Sequence, residues 1–387
     1  VREELADLRK PSGTAGEAML RAETPQEQQA LIGVGRRNAL INGDMKISQR
    51  GTSFTGVSHN TYTLDRWELN EDSAAEFTIT QSSETPDGFG SSVKLDVTTA
   101  DTSVGSAEYV VFEQRIEGYN TQSFGSGTSN AKPHTVSFWV RSNVTGTYIC
   151  ELKYHTGGYE ASQAYTIDAA DTWEYKVLVF PPQTLSAPAN DNSAELRVSF
   201  WLLAGSNYTG GGTLSTQWTT TDNVRAVGQT NLVASTSNEI YFTGVQLEVG
   251  KVATPFEHRS YGEELAACQR YLYAINAKGH PSSTSAAYAR FITFAQGPNA
   301  VVWFPQYPVQ MRALPSLVAT NVSSSTFSMF NYNAQAAPSL TGISLAEGTH
   351  TTGQVSFITA SGISSGDIVS WRWNNSPNAS FQFDAEL

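Results

Sequence analysis

Charged residues are scarce in this chain. Only 16% of its 387 residues are Asp, Glu, Lys or Arg, whereas about a quarter is usual in soluble domains. Gly, Ser, Thr and Asn fill the gap, and they suit turns and sandwich surfaces better than long helices. Aromatic residues make up 11% of the chain, and this share excludes an intrinsically disordered protein.

Basic residues are fewer than acidic ones, 24 against 36, so the formal net charge is −12. An acidic chain without a basic run repels phosphate backbones and anionic lipid headgroups. No apolar stretch approaches the roughly 20 residues that a membrane-spanning helix needs. We therefore expect no nucleic-acid partner and no membrane insertion. The polar, charged N-terminus also predicts that no secretory signal peptide is present.

Cysteine is nearly absent. Cys150 and Cys268 lie far apart in the sequence, and we expect two buried free thiols rather than a disulfide. The six histidines are isolated, and neither an H-E-x-x-H nor a C-x-x-C pattern occurs. These absences argue against a zinc site.

Catalytic motifs are weak. Residues 362–366 match G-x-S-x-G, but no histidine follows His350 to complete a hydrolase triad, so we treat the match as chance. Glu113 and Glu117 could act as a pair of carboxylates in glycoside hydrolysis, although a solvated surface pair is the simpler interpretation. We therefore expect that the protein is not an enzyme.

Residues 1–37 differ from the rest of the chain because charges are dense and aromatics absent. Capping boxes at Thr14/Glu17 and Thr24/Glu27 predict short helices over 15–22 and 25–32. Such short helices are not stable alone. We interpret this region as a helical attachment or trimerisation segment, with a flexible leader as the alternative.

The remainder predicts an all-β fold. Residues 38–256 read as many short strands, and Val136, Phe138 and Val140 show the period of two typical of half-buried strands. Without βαβ alternation, a jelly-roll β-sandwich is the leading topology. Residues 257–278 predict a connector helix with Leu265, Cys268, Leu272 and Ile275 on its apolar face. Residues 279–387 return to β structure and predict a second β-sandwich tip domain.

Several segments resemble bacteriophage tail-fibre and receptor-binding virion proteins that carry a carbohydrate-binding-module-like jelly roll. The segments are 19–35, 38–44, 49–54, 62–67, 242–250, 264–271 and 381–387. The resemblance implies a homotrimer in the virion tail, attached to other phage tail proteins through its N-terminal segment. It also implies binding to host cell-surface glycans.

Three functions follow from these features. The leading hypothesis is a phage tail fibre that recognises host glycans without catalysis. The second is a purely structural virion protein that decorates or connects. The third is a polysaccharide-degrading tailspike.

Aromatic side chains are the candidate glycan-binding residues, because sugars stack their CH faces on flat rings. In the nearly uncharged tip, which we expect to be outermost, the candidates are Trp373, Trp371, Tyr332 and Tyr307. In the jelly roll they are Trp218 and Tyr208, beside a glycine run. The alternative is that these rings are buried in the two cores.

We expect no cofactor except a candidate structural calcium. The resemblance to jelly-roll binding modules implies a calcium near the first and last strands, where Asp44 and Glu248 lie. Carboxylate oxygens suit Ca²⁺. A salt bridge or a capped turn at these residues is the alternative.

Overall fold

The computed structural model describes residues 19, 21, 28, 36–57, 59–276, 288–320, 322, 327–335, 337–359, 361–373 and 380–387. Two compact units are present. The first contains the described residues up to Lys46, Thr55–Thr61 and Trp67–Arg259, and the second contains Ile47–Phe54, Tyr62–Arg66 and the described residues from Ser260 onwards.

The first unit is a β-sandwich of two six-stranded sheets. Sheet 1 has the order β1-β4-β5-β12-β7-β10, and sheet 2 has the order β2-β3-β6-β11-β8-β9. The strands are β1 (Ser53–Val57), β2 (Thr61–Tyr62), β3 (Glu68–Asp72), β4 (Glu76–Ser82), β5 (Ser92–Thr99), β6 (Tyr109–Glu117), β7 (His134–Ser142), β8 (Gly146–Tyr154), β9 (Glu160–Ile167), β10 (Glu174–Phe180), β11 (Ala194–Ala204) and β12 (Glu239–Val249). Short helices are α1 (Ser206–Thr209) and the 3-10 turns Gly118–Asn120, Gln122–Phe124, Thr156–Gly158, Asp222–Val224 and Leu232–Ala234.

Aromatic rings fill the space between the two sheets. The ring centroid of Phe200 in sheet 2 lies 4.8 Å from that of Phe138 and 4.7 Å from that of Phe242, and both of these residues belong to sheet 1. The alternating residues Val136, Phe138 and Val140 are all fully buried, which confirms the period of two. Alternate residues point to opposite faces of a strand, and each apolar set therefore faces the core.

The second unit is also all-β. It has a three-stranded sheet 3 with the order β13-β21-β16 and a six-stranded sheet 4 with the order β17-β20-β14-β15-β19-β18. The strands are β13 (Leu272–Asn276), β14 (Tyr288–Gly297), β15 (Ala300–Trp303), β16 (Ser316–Thr320), β17 (Phe327–Asn331), β18 (Leu340–Gly348), β19 (Gly353–Thr359), β20 (Ile368–Trp373) and β21 (Ser380–Asp384).

The connector helix is present but shorter than the sequence pattern predicts. Helix α2 (Tyr261–Gln269) begins at Ser260, which forms a capping box with Glu263. Leu272 and Ile275, which were predicted on the helix face, instead lie in β13 and pair with Asp384 and Phe381 of β21. The prediction is wrong for these two residues, because sheet pairing to a distant strand outweighs the local helical pattern.

The structure also bears on the predicted N-terminal helices and on the predicted bounds of the jelly roll. Met19, Arg21 and Gln28 are helical, while the rest of the predicted N-terminal helices lies outside the described residues. Residues 47–54 and 62–66, which the sequence assigned to the jelly roll, belong to the second unit. None of the helices in the described part of the chain is long and apolar enough to cross a membrane.

Candidate functional site

The outer face of sheet 2 carries an ordered set of polar side chains. Residues that oppose each other on neighbouring strands point to the same side of a sheet. The strand register therefore produces rows that run across the strands. The carboxylate row consists of Glu68, Glu113, Ser199, Glu151 and Ser162. The cationic row next to it consists of Arg115, Arg197 and Lys153 and ends at Glu160. We call this surface the polar face.

Glu113 is the centre of the polar face. Its Oε1 accepts hydrogen bonds from Arg115 Nε and Arg197 NH1, both at 3.3 Å, and from Asn70 Nδ2 at 3.4 Å. Ser199 Oγ donates to Oε2 at 2.8 Å. Burial raises the pKa of Glu113, but Arg197, Arg115 and these hydrogen bonds outweigh it and hold the pKa below its ordinary value. The carboxylate therefore stays ionised.

This burial corrects the sequence interpretation of Glu113 and Glu117 as a solvated surface pair. Both side chains are about 1% exposed. A glycosidase acid must hold a proton near neutral pH, which requires a raised pKa. The lowered pKa of Glu113 does not suit that role.

The outer cations lie above the buried acids. Arg115 NH2 is 3.1 Å from Glu68 Oε2, and Lys153 Nζ is 3.2 Å from Glu160 Oε2. The side chains of Arg115, Arg197 and Lys153 are 22%, 30% and 21% exposed, whereas those of their carboxylate partners are 1–2% exposed. The solvent side of these two rows is therefore cationic, and the exposed carboxylate of Asp222 lies at their border, 3.1 Å from Arg225 NH1.

Aromatic rings border these charges at Tyr208. Its ring centroid lies 5.2 Å from that of Trp201 and 5.8 Å from that of Tyr109. Tyr109 donates its hydroxyl hydrogen to Asn70 Oδ1 at 2.9 Å. The rings of Tyr208 and Tyr109 are half-buried, and that of Trp201 is buried.

Arg225 links this aromatic group to the carboxylate row. It makes two hydrogen bonds of 2.8 Å to Glu151, and its guanidinium carbon lies 5.2 Å from the Trp201 ring and 5.5 Å from the Tyr208 ring. Burial lowers the pKa of Arg225, but Glu151 outweighs this effect and raises the pKa above its ordinary value. Of the six predicted aromatics, Tyr208 is the one for which these contacts establish a place at the polar face.

Trp218 lies in another environment. Its Nε1 donates to the carbonyl of Pro181 at 2.8 Å, and its ring packs 5.4 Å from Tyr154 and 5.7 Å from His134. The ring is half-buried. These contacts leave the ring partly exposed, and its role in glycan binding stays a prediction.

The candidate glycan-binding residues of the tip differ in how far they are exposed. Trp371 is fully buried, with its ring 5.2 Å from Trp303, and Tyr307 is 7% exposed. A buried ring cannot stack on a sugar, so the prediction is wrong for these two. Tyr332 is 38% exposed and packs edge-on against Phe330 at 5.2 Å. The side chain of Trp373 lies outside the described residues.

The predicted calcium ligands have protein partners. Asp44 Oδ2 is 3.0 Å from Lys46 Nζ. Glu248 accepts hydrogen bonds from Gln246 Nε2 at 2.8 Å and from the Thr254 amide at 2.9 Å, and also from the Thr254 hydroxyl. These contacts satisfy Glu248, whereas Asp44 Oδ1 is buried without a hydrogen-bond partner among the described residues. Among the described residues, no group of three or more His, Cys, Asp and Glu side chains could hold a metal ion.

The polar face has no contiguous signature in the sequence. Its charged residues are 68, 113, 115, 151, 153, 160 and 197, which are scattered over the chain. One signal was available. In β6, polar Glu113, Arg115 and Glu117 alternate with Phe112, Gln114 and Ile116, and charged residues at alternate positions mark a strand face that is not part of the sandwich core.

Comparison with known proteins identifies no family. No protein-family model and no curated protein matches the chain significantly. Several solved structures align with about half of it. The enzymatically active domain of bacteriophage CBA120 tailspike protein 4 has 13% identity and a TM-score of 0.32, and the match covers 55% of this chain and 21% of that one.

Two further matches have names that refer to sugars. TmCBM61 in complex with β-1,4-galactotriose has 11% identity and a TM-score of 0.29 over 55% of this chain and 99% of that one. A putative sugar binding protein from Bacteroides thetaiotaomicron has 12% identity and a TM-score of 0.32 over 55% and 100%. Scores this low assign neither a family nor a function to the chain.

Proposed function

We propose that this chain is a non-enzymatic, glycan-binding tail-fibre protein of a bacteriophage virion, and that its polar face binds the saccharide. The observation that carries the proposal is the combination of outward guanidinium groups with two half-buried tyrosine rings on one sheet face. Saccharide sites combine directional hydrogen-bond donors with a flat apolar surface.

The charged partners make this face rigid before ligand arrives. Arg115 is held between Glu68 and Glu113, and Arg225 is held by Glu151. Side chains locked in place lose less conformational entropy on binding than free ones do. The face therefore favours recognition of a ligand with fixed geometry, such as a sugar ring.

The proposal moves host contact from the tip to the jelly roll. Tyr332 keeps a candidate role as a sugar-stacking ring in the second unit because it is exposed. The alternative functions are a purely structural virion protein and a polysaccharide-degrading tailspike. The lowered pKa of Glu113 argues against this carboxylate as the proton donor of a hydrolysis, whereas burial raises the pKa of Glu160 on the same face.

The chain forms a homotrimer, attaches to other tail proteins through residues 1–37 and resides in the virion tail. A calcium ion at Asp44 and Glu248 competes with the Lys46 ion pair. An unchanged melting temperature in the presence of a calcium chelator would exclude that ion.

A glycan array tests the saccharide proposal with the full chain and three variants. Arg197→Gln and Tyr208→Ala alter the polar face, and Tyr332→Ala alters the tip. Arg141→Gln is the matched control, because Arg141 also pairs with acids and lies 5.0 Å from a tyrosine ring, but on sheet 1.

We expect glycan binding by the full chain, at least tenfold weaker binding by Arg197→Gln and Tyr208→Ala, and unchanged binding by Arg141→Gln. Binding lost only in Tyr332→Ala would move the site to the tip. A full chain that binds no glycan would favour the structural alternative, and release of reducing sugar from a bound polysaccharide would favour the tailspike.

A further inference from the structure

We infer that the polar face selects acidic saccharides, those carrying a carboxylate, over neutral ones. This inference rests on the proposed function. Arg115, Arg197 and Lys153 oppose one another on the adjacent strands β6, β11 and β8. Strands are about 4.8 Å apart, so the cationic row extends for about 10 Å across the sheet.

The acids lie deeper below the surface than the cations. This difference in depth determines the sign of the electrostatic potential that a ligand meets above the polar face. Glu113 and Glu160 are nearly inaccessible, whereas Arg197 and Lys153 reach solvent. A ligand approaching from solvent meets the cations first, and the Coulomb energy falls with distance. The attraction to a carboxylate therefore exceeds the repulsion from the acids beneath, although the two rows contain four carboxylates and three cations.

Arg197 is the residue best placed to meet the ligand. Among the contacts within the described part of the chain, its guanidinium pairs through NH1 with Glu113 Oε1. A guanidinium has five N–H donors, so donors remain for a ligand carboxylate. Glu113 keeps Arg115 and Ser199 as partners when Arg197 is replaced, and the sheet should therefore tolerate the change.

A local cationic site also fits the charge of the whole protein. The chain carries a net charge of −12, which opposes an acidic ligand at long range. Salt reduces this opposition beyond about 8 Å at physiological ionic strength. Contacts within the cationic row are shorter than that distance and keep most of their strength.

Titration of the full chain with two matched probes tests the inference. The probes are oligogalacturonate and the corresponding oligogalactose, which differ only in the carboxylate at C6. The proteins are the wild type, Arg197→Gln, Arg197→Lys and the control Arg141→Gln, each checked for an unchanged melting temperature. A charge-assisted contact of this kind corresponds to at least about tenfold in affinity.

We expect the wild type to bind oligogalacturonate at least about tenfold more tightly than oligogalactose, with a preference that weakens as salt is added. Arg197→Gln should lose the preference, Arg197→Lys should retain part of it, and Arg141→Gln should not alter it. Equal binding of both probes through the polar face would overturn the inference and leave the proposed function intact. An acid preference unaffected by Arg197→Gln would also overturn it. Failure of all saccharides in the glycan array would refute the proposed function itself.

A second inference concerns the outer face of sheet 4, where five large apolar side chains are exposed. We call this surface the apolar face. Its members and their exposed fractions are Ile292 (66%), Phe294 (61%), Ile358 (44%), Ile368 (41%) and Phe330 (37%). We propose that a second copy of this chain covers the apolar face.

Strand register makes these residues neighbours on one surface. Phe294 opposes Ile368, and Ile292 and Phe330 both oppose Ser370. The intervening residues Thr293 and Ala295 of β14 point inward and are buried. The apolar residues therefore form a continuous surface.

The size of the apolar face identifies the type of occupant. Five side chains with these exposed fractions present on the order of 500 Å², near the upper end of what a monomer ordinarily exposes. A stable protein interface covers about 800 Å² on each partner, which the apolar face and its rim together approach.

The composition of the region favours a like partner. Residues 279–387 contain few charges. The basic residues are Arg290, Arg312 and Arg372, and the acidic ones are Glu347, Asp367, Asp384 and Glu386. A charged partner would lose hydration without gaining ion pairs here. A second copy presents the same uncharged surface, as symmetric homo-oligomers do.

Light scattering coupled to size-exclusion chromatography tests the second inference on the full chain of 41.9 kDa. The variant is the double change Ile292→Thr and Phe294→Thr, and the control is Val177→Thr, a strand residue of the first unit that is 45% exposed. We expect a multimer for the wild type and the control, and a lower mass for the double variant at an unchanged melting temperature. A monomeric wild type, or a double variant that remains fully multimeric, would overturn the inference.

Discussion

Asp65 offers a quantitative test of the second unit. Its carboxylate is fully buried and accepts a hydrogen bond from the Gln49 amide at 2.7 Å. Burial raises its pKa from 3.8 to about 6, even though Arg50 and the Gln49 hydrogen bonds act to lower it. Asp65 therefore binds a proton more tightly in the folded protein than in the unfolded chain.

The sign of the effect on stability follows from this difference. Well below the unfolded pKa of 3.8 the group is protonated in both states, and the contribution to stability is fully present. As the pH rises to 6 and beyond, ionisation favours the unfolded chain. The two pKa values differ by about 2, and each pKa unit corresponds to about 1.4 kcal/mol. The second unit should lose about 3 kcal/mol over this range.

Asp65→Asn is the perturbation that isolates this contribution. Asparagine is neutral at every pH and keeps an oxygen that can accept from the Gln49 amide. Arg50 retains Asp384 at 2.7 Å and Glu386 at 3.3 Å, and the variant should fold. Urea unfolding at about pH 4 and about pH 7.5 would measure the free energy of unfolding of both proteins.

We expect the variant to gain about 3 kcal/mol relative to the wild type between those two pH values. Taking the difference between proteins removes the contribution of every other titrating group. The same pH dependence in both proteins would refute this explanation, and so would a relative loss of stability in the variant as the pH rises.

Three further predictions concern buried groups. Trp371→Ala should lower the free energy of unfolding of the second unit by about 3–5 kcal/mol, measured by urea denaturation, and a loss of less than 1 kcal/mol would contradict its burial. Glu386→Gln should cost about 3–5 kcal/mol because Arg66 is fully buried and paired with it, and an unchanged melting curve would refute that pairing. Cys150 and Cys268 are buried free thiols whose pKa burial raises, so a thiol reagent should label them only in denaturant, and rapid labelling of the native protein would contradict this.

Local sequence was sufficient to find many strands and their inward sides. The sequence pattern predicts strands over Glu174–Phe180, Glu239–Val249 and Ile368–Trp373, and the observed strands have the same ends. Within such segments the alternation of apolar and polar residues follows from the pleat of the strand. It can be recognised without knowing which strands are the partners. The sequence pattern did not predict the strands Leu340–Gly348 and Ser380–Asp384 of the second unit. Their partner strands are determined by tertiary pairing, which local sequence does not show.

The sequence alone determined an all-β protein of low charge, with buried thiols and two β regions joined near α2. Tertiary structure decided which polar residues meet. Glu113 and Arg197 are separated by 84 positions, and their meeting depends on the register of β6 against β11. The same holds for Trp371, which local pattern could not assign to a face and which pairing with Phe291 and Met329 directs into the core. Period two divides a strand into two faces, but only the packing of sheets decides which face is buried.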